Sequence, residues 1–178
     1  MATETTQTFE DLFLDSLADM LYAEQQLTKA LPKMAKVATH DELREAFESH
    51  LVETEGHIEK VKQVFELFDE TPWTKKCAAM VGLIKEAEEM ISDNKKSPTI
   101  NAALVFAGQK VEHYEIASYG GLREWAKQLN KAEAAEILDE ILDEEKSADV
   151  KLTELAEEYC NPSAKSETSG EDENRMAA

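Results

Sequence analysis

The sequence predicts an all-α fold: four long helices in one bundle, with a shorter fifth helix in the crossover between the second and the third. Three observations carry that expectation. Apolar residues recur at steps of three and four along most of the chain, which is the spacing of one helix face. Only 6 Gly and 4 Pro occur in 178 residues, while Ala, Leu, Glu and Lys dominate, a composition that favours helices over sheets. The turn-forming residues cluster at a few places and divide the chain into helix-sized pieces.

Thr8 reads as the N-cap of the first helix, whose stripe runs through Phe13, Leu17, Met20, Leu27 and Leu31. Pro32 is expected to kink that helix near its end. Asp41 reads as the next N-cap, and Leu43, Phe47, Ile58, Val61 and Phe68 follow on one side. Thr71-Pro72 has the form of a cap with Pro at the first helical position, ahead of a shorter helix over about Lys75 to Ser92. Ser97-Pro98 opens the third long helix by the same device, with Leu104, Val111, Ser118, Leu122 and Trp125 in rhythm. "LNKAEA" breaks it, and the last helix shows Ala134, Leu138, Ile141, Leu152 and Leu155. Residues 1–7 are small and polar and read as frayed, and residues 8–160 read as the bundle. Residues 161–178 carry one large apolar residue, Met176, and read as a disordered acidic and polar tail.

The formal net charge of -19 repels phosphate backbones, so nucleic acid is excluded as a direct partner. No apolar run approaches the roughly 20 residues of a membrane span. The N-terminus lacks the basic and apolar regions of a signal peptide. Cys77 and Cys160 have no CxxC partner, and a reducing cytoplasm is expected.

Short turns make the first two long helices antiparallel, and likewise the last two. The long middle connection then lets both pairs pack into one bundle, as in ferritin-like folds. Each long helix interrupts its own apolar stripe with an acid. Glu24 falls between Met20 and Leu27, Glu53 between His50 and His57, Glu115 between Val111 and Ser118, and Glu145 between Ile141 and Ala148. The heights match as well. Glu24 and Glu53 lie 15 and 14 residues from the turn at Thr39, and Glu115 and Glu145 each lie 15 from the turn at Asn130.

So many carboxylates cannot share a dry interior as anions without counter-charge. Protonation is one escape; Arg or Lys partners are another, but the nearby Lys110 and Lys146 fall on other faces; a pair of divalent cations is the third. Oxygen ligands with one or two imidazoles suit iron or manganese better than structural zinc. Glu24, Glu53, Glu112 and Glu145 are the leading candidate ligands, and Glu115 shares a face with Glu112. His57 is a candidate ligand; His50 reads as a ligand, a partner orienting Glu53, or a packed core residue. Asp149 completes the set, with Glu144 as its rival. The Glu53-to-His57 spacing is four where the di-iron pattern has three, and Asp149 stands where that pattern has a His. His113 points about 100° away from Glu112 and is expected in a supporting or interface role. Tyr119 lies near these acids, with core packing its expected use. The helical pair Gly120-Gly121 suggests close approach of another helix, as across a dimer, or else a local kink.

At "YAEQQL", "HLVET", "KVEHYEIASYG" and "LDEEK" the sequence resembles the YciE/YciF family of ferritin-like bacterial proteins, over about Asp11 to Ala156. The resemblance implies a rubrerythrin-like, stress-associated homodimer with a dinuclear metal site. The expected function is therefore Fe(II) oxidation by oxygen or peroxide at two metal ions per chain, with iron foremost and manganese second. Two expectations compete with it. One is a non-catalytic structural or stress-response dimer that binds metal weakly or not at all, and the other is a Mn-dependent enzyme that disproportionates peroxide. Nothing in the sequence points to an electron donor.

Overall fold

The computed structural model describes residues 6–166, and among them it holds five α-helices and no strand. They are α1 (Phe9–Val37), α2 (Asp41–Glu66), α3 (Ala78–Asn94), α4 (Ile100–Gln128) and α5 (Ala132–Leu155). α1 pairs with α2 and α4 with α5, α2 packs across onto α5, and α3 lies against α4 and α1. This is the four-helix bundle with a helical crossover that the sequence predicts.

The ends of the helices show why the chain breaks where it does. Thr8 caps α1 with a full capping box: its Oγ1 accepts from the Asp11 N–H at 3.0 Å, and its own N–H donates to Asp11 Oδ2 at 2.8 Å. α2 and α4 close alike. Asp69 (φ 58°) and Asn130 (φ 59°) take the left-handed conformation after the last turn. The next N–H then reaches back, Glu70 to the Phe65 carbonyl at 3.1 Å and Lys131 to the Ala126 carbonyl at 2.9 Å, in the Schellman arrangement. Pro32 lies on the exposed side of α1, and the helix runs on to Val37.

Four boundaries depart from expectation. His40 rather than Asp41 is the N-cap residue of α2, so Asp41 contributes its charge to the first turn instead. Thr71-Pro72 starts no helix. The chain stays irregular to Cys77, whose sulfur caps α3 by accepting from the Met80 N–H at 3.3 Å. The backbone hydrogen bond from Lys75 to the Ala18 carbonyl, at 3.1 Å, pins this connection onto α1 and competes with helix formation there. α4 begins at Ile100, because Ser97 spends its hydroxyl on the Thr99 backbone in a turn. At the other end, order does not stop at residue 160. The helix widens into a π-turn over Ala156–Cys160 and continues through 161–166. Cys160 and Ala164 are both buried, so small apolar residues four apart prolong a stripe that the polar composition of 161–178 conceals. The rest of the expected tail, and residues 1–5 of the expected frayed end, lie outside the described residues.

No helix among the described residues is long and apolar enough to cross a membrane. The core above and below the acids is aliphatic and aromatic, with Phe13 stacked on Phe68 at 4.7 Å between ring centres.

Candidate metal centre

Midway along the bundle the apolar stripes give way to charged side chains. α1 supplies Glu24, α2 supplies His50 and His57, α4 supplies Glu112 and Glu115, and α5 supplies Glu145. Glu24, His57, Glu115 and Glu145 have no exposed surface, and Glu112 and His50 keep only 3% and 6%. The apolar rows on either side are what fix these helix faces inward, so the acids are buried by their neighbours' hydrophobicity.

The six residues form two overlapping groups. His50, Glu112, Glu115 and Glu145 bring one donor atom each to within 4.8 Å of one another, and so do Glu24, His57 and Glu145. Glu145 belongs to both and divides its oxygens between them. Its Oε1 lies 3.0 Å from His57 Nδ1, and its Oε2 lies 3.5 Å from His50 Nε2. His50 Nε2 is also 3.5 Å from Glu112 Oε1, and His57 Nδ1 is 3.7 Å from Glu24 Oε1. The 3.0 Å approach of His57 to Glu145 lacks the alignment of a hydrogen bond, and both atoms remain without one.

Each histidine is turned the same way. One ring nitrogen faces the buried carboxylates, and the other is held by an acid at the rim. His50 Nδ1 meets Glu53 Oε2 at 3.1 Å, and His57 Nε2 meets Glu144 Oε2 at 2.8 Å. Carboxylates only accept here, so the rim-facing nitrogens carry the protons and the inward nitrogens keep their lone pairs whenever the rings are neutral. Lys60 donates to both oxygens of Glu144, at 2.8 and 2.9 Å, and so fixes that acid in turn. On the opposite wall the Tyr119 hydroxyl donates to Glu24 Oε1. Thr54 occupies the inward position between the two histidines and donates to the His50 carbonyl at 2.8 Å.

The electrostatics test whether these residues fit a cation. Burial pushes Glu112 and Glu115 well above the usual carboxylate range, and repulsion from neighbouring acids adds to it. Burial also raises Glu24, although His57 and Tyr119 oppose it. Burial acts against charge on the imidazoles too, but the acids around them prevail. His50 is pushed up to about 9 by Glu53, Glu112 and Glu145, and His57 up to about 10 by Glu145 and Glu24. Burial opposes ionisation of Glu145 as well, yet the two histidines outweigh it and hold its carboxyl below the usual range. Without a metal, then, the cluster carries its negative charge only by borrowing protons. Both oxygens of Glu115 and of Glu145, one each of Glu24 and Glu112, and His57 Nδ1 are buried with no hydrogen-bond partner. Buried polar atoms in folded proteins are almost always partnered, so these seven converging atoms form a donor set that could hold a cation. Oxygen donors with one imidazole in each group fit iron or manganese and do not make a closed thiolate zinc site.

Six of the predicted ligands are thus brought together, and two are not. Glu53 lies at the rim with 43% of its side chain exposed, bonded to His50. At about 100° per residue Glu53 and Thr54 fall on opposite flanks of the line through the two histidines, about equally far from it, and the packing buries Thr54 while leaving Glu53 at the rim. Matching heights above a turn fixes how far along the bundle a residue sits, but not where it points. The histidine–carboxylate relation is also reversed from one of the expected readings, since Glu53 orients His50. Asp149 turns away, to Gln109 Nε2 at 3.5 Å and His113 Nε2 at 3.3 Å, and His113 itself is at the surface. Glu144, its rival, serves the site through His57. Sequence reasoning missed Lys60 and set Tyr119 down to packing. Lys60 is seven residues after Glu53, hence on the same flank of α2, but that spacing does not name Glu144 as its partner.

A ferritin-like helical bundle with two buried carboxylate–imidazole groups sharing one glutamate defines a protein whose interior could hold metal ions. The chain belongs to the family described as "Domain of unknown function (DUF892)", which matches residues 8–165. It is 48% identical over 159 residues to Protein YciF of Escherichia coli (strain K12), spanning 89% of this chain and 96% of that protein. The structure of the E. coli stress protein YciF superposes with a TM-score of 0.81 at 49% identity, covering 85% of this chain and 96% of the other. The structure of YcfI from Rhodopseudomonas palustris gives 0.80 at 44% identity, with 86% and 98% covered. A protein of Xanthomonas campestris pv. campestris shares the fold, with a TM-score of 0.72 at 22% identity and 90% and 99% covered. The resemblance expected from the sequence motifs is therefore borne out.

Proposed function

We propose that this chain is a dinuclear metal protein that oxidises Fe(II) with peroxide or oxygen as part of a stress response. The observation that carries the reading is the set of buried, unpartnered carboxylate oxygens converging on two positions that share Glu145. Glu145 would bridge; Glu24 and His57 would hold one ion, and His50, Glu112 and Glu115 the other. Bound iron at such a site supplies one-electron steps and an open position for an oxidant. The chain's own part is to orient the donors through Glu53, Glu144 and Tyr119, to exclude bulk water, and to keep the charge balanced by protons on its acids and imidazoles. In the balanced reaction, two ferrous ions give one electron each to one peroxide, and two protons complete two waters. The likeness to a stress protein supports the physiological setting.

We further propose a homodimer. A Cβ at Gly120 or Gly121 would meet nothing within 4 Å, so no helix among the described residues explains the pair, and a second copy supplies the close approach.

The test is metal analysis of protein purified without chelator, joined to an anaerobic Fe(II) titration. Two ions per chain, lost in Glu145→Ala, is the expected result, and no binding by either protein would sink the metal reading. Peroxide or oxygen consumption on adding Fe(II) then separates an oxidase from a passive binder.

A further inference from the structure

The two halves of the centre differ in access. A cleft of about 1060 Å³ opens between the first half of α2 and the second half of α5, and at its floor lie His50 and Glu112. Glu24, His57, Glu115 and Glu145 do not line it. The same division shows in exposure: His50 and Glu112 are the members of the centre with any exposed surface. The unpartnered Oε2 of Glu112, on a side chain only 4% exposed, therefore belongs to a residue that meets both the cleft and the site.

The walls of the cleft are acidic. Glu42 and Glu45 stand on α2 and Glu140 and Asp143 on α5, with Glu53 and Glu144 nearer the floor; Lys151 brings a positive charge to the wall, and His50 lies at the floor. Glu42 and Glu45 make no ion pair among the described residues, whereas Asp143 meets Lys146 at 2.9 Å and Glu140 meets Lys60 at 3.7 Å. A recess lined by one sign of charge focuses the field, concentrates counter-ions and raises their association rate by roughly 10- to 1000-fold, an effect that salt abolishes.

Resting on the metal reading above, we propose that this cleft is the cation-loading route. It delivers a divalent ion first to His50, Glu112, Glu115 and Glu145, and the shared Glu145 then passes it to Glu24 and His57. The outer ion is the exchangeable one and the inner ion the slow one. Glu42 and Glu45 act on the rate of arrival and not on the coordination.

The test is stopped-flow loading with Co(II), followed by its visible absorption on leaving water for buried donors. The wild-type chain should load in two phases. Glu42→Gln with Glu45→Gln should slow the first phase about 3- to 10-fold at low ionic strength, with unchanged stoichiometry, and match wild type at 0.5 M salt. Ala148→Trp, which narrows the cleft wall, should slow both phases at any salt concentration. Glu24→Gln should abolish the slow phase and spare the fast one, whereas Glu112→Gln should slow filling of the inner position. Equal fast-phase rates at low salt in wild type and the double glutamine variant overturn the route while leaving the metal reading intact. So does inner filling at the wild-type rate in Glu112→Gln. No Co(II) binding by wild type overturns both.

Discussion

His57 is tied through Nε2 to Glu144 across the α2–α5 interface at 2.8 Å, while its Nδ1 stays unpartnered beside Glu24 and Glu145. This fixes which nitrogen can meet a metal. Burial of Glu144 opposes its charge, but the bonds to Lys60 and His57 outweigh that and hold its carboxyl below the usual range, so it stays an acceptor at neutral pH. Partners of this kind typically carry a factor of roughly 10 to 100 in metal affinity. Glu144→Gln should therefore weaken binding of the ion at His57 by about that factor and leave the helix content unchanged. Glu53→Gln should do the same at His50. Competition titration against a chelator of known affinity measures both, and wild-type affinity in the two variants would remove the positioning role.

Glu145 sends one oxygen to each group. Its loss should cost both ions, whereas Glu24→Gln should cost one. Mass spectrometry under native conditions reads the stoichiometry directly. Equal losses in the two variants would contradict a shared bridge.

Loading at pH 7 should release protons. His50 and His57 are pushed up to about 9 and about 10, so both carry charge in the metal-free chain and must surrender it to coordinate. On the order of two or more protons per chain are expected, counted by calorimetry in buffers of different ionisation enthalpy. Heat independent of buffer would rule this out.

The same shifts set a pH dependence of stability. A histidine raised in the folded state stabilises fully below its unfolded value near 6.5, and that stability is lost as pH climbs through the folded value. Raised Glu112 and Glu115 act with the same sign. The metal-free chain should thus lose a few kcal/mol between about pH 7 and pH 10, and the loaded chain should not, because metal replaces the protons. Urea midpoints with and without chelator test it, and a flat metal-free profile would refute it.

Gly121→Ala should improve α4 by about 1 kcal/mol, since a Cβ there meets nothing within 4 Å. In a dimer that uses this face it should also weaken association. Sedimentation over a concentration series, beside unfolding of the same variant, separates the two effects; undiminished association would place the dimer contact elsewhere.

Much of this molecule was legible in its sequence, and the illegible part has a common cause. Helix faces follow from steps of three and four, so Glu24, Glu115 and Glu145 could be found as polar interruptions of apolar rows. Residues at the edge of a stripe could not be resolved. Glu53 and Thr54 are adjacent, and only the packing of α5 against α2 decides that Thr54 points inward. Lys60 reaches Glu144, which is 84 residues away in the chain, and no local pattern encodes such a partner. Thr71-Pro72 carries a strong start signal that a single tertiary hydrogen bond, Lys75 to Ala18, overrides.

Both nitrogen donors ride on α2, three and a half residues either side of its midpoint between them, while the other three long helices bring only oxygen. Each ion would have one nitrogen, and both nitrogens would depart together if α2 slipped or frayed. What remained would be an all-oxygen cage, the donor set that suits hard ions such as magnesium, calcium or manganese. The nitrogen content of the candidate centre thus depends on the seating of a single helix.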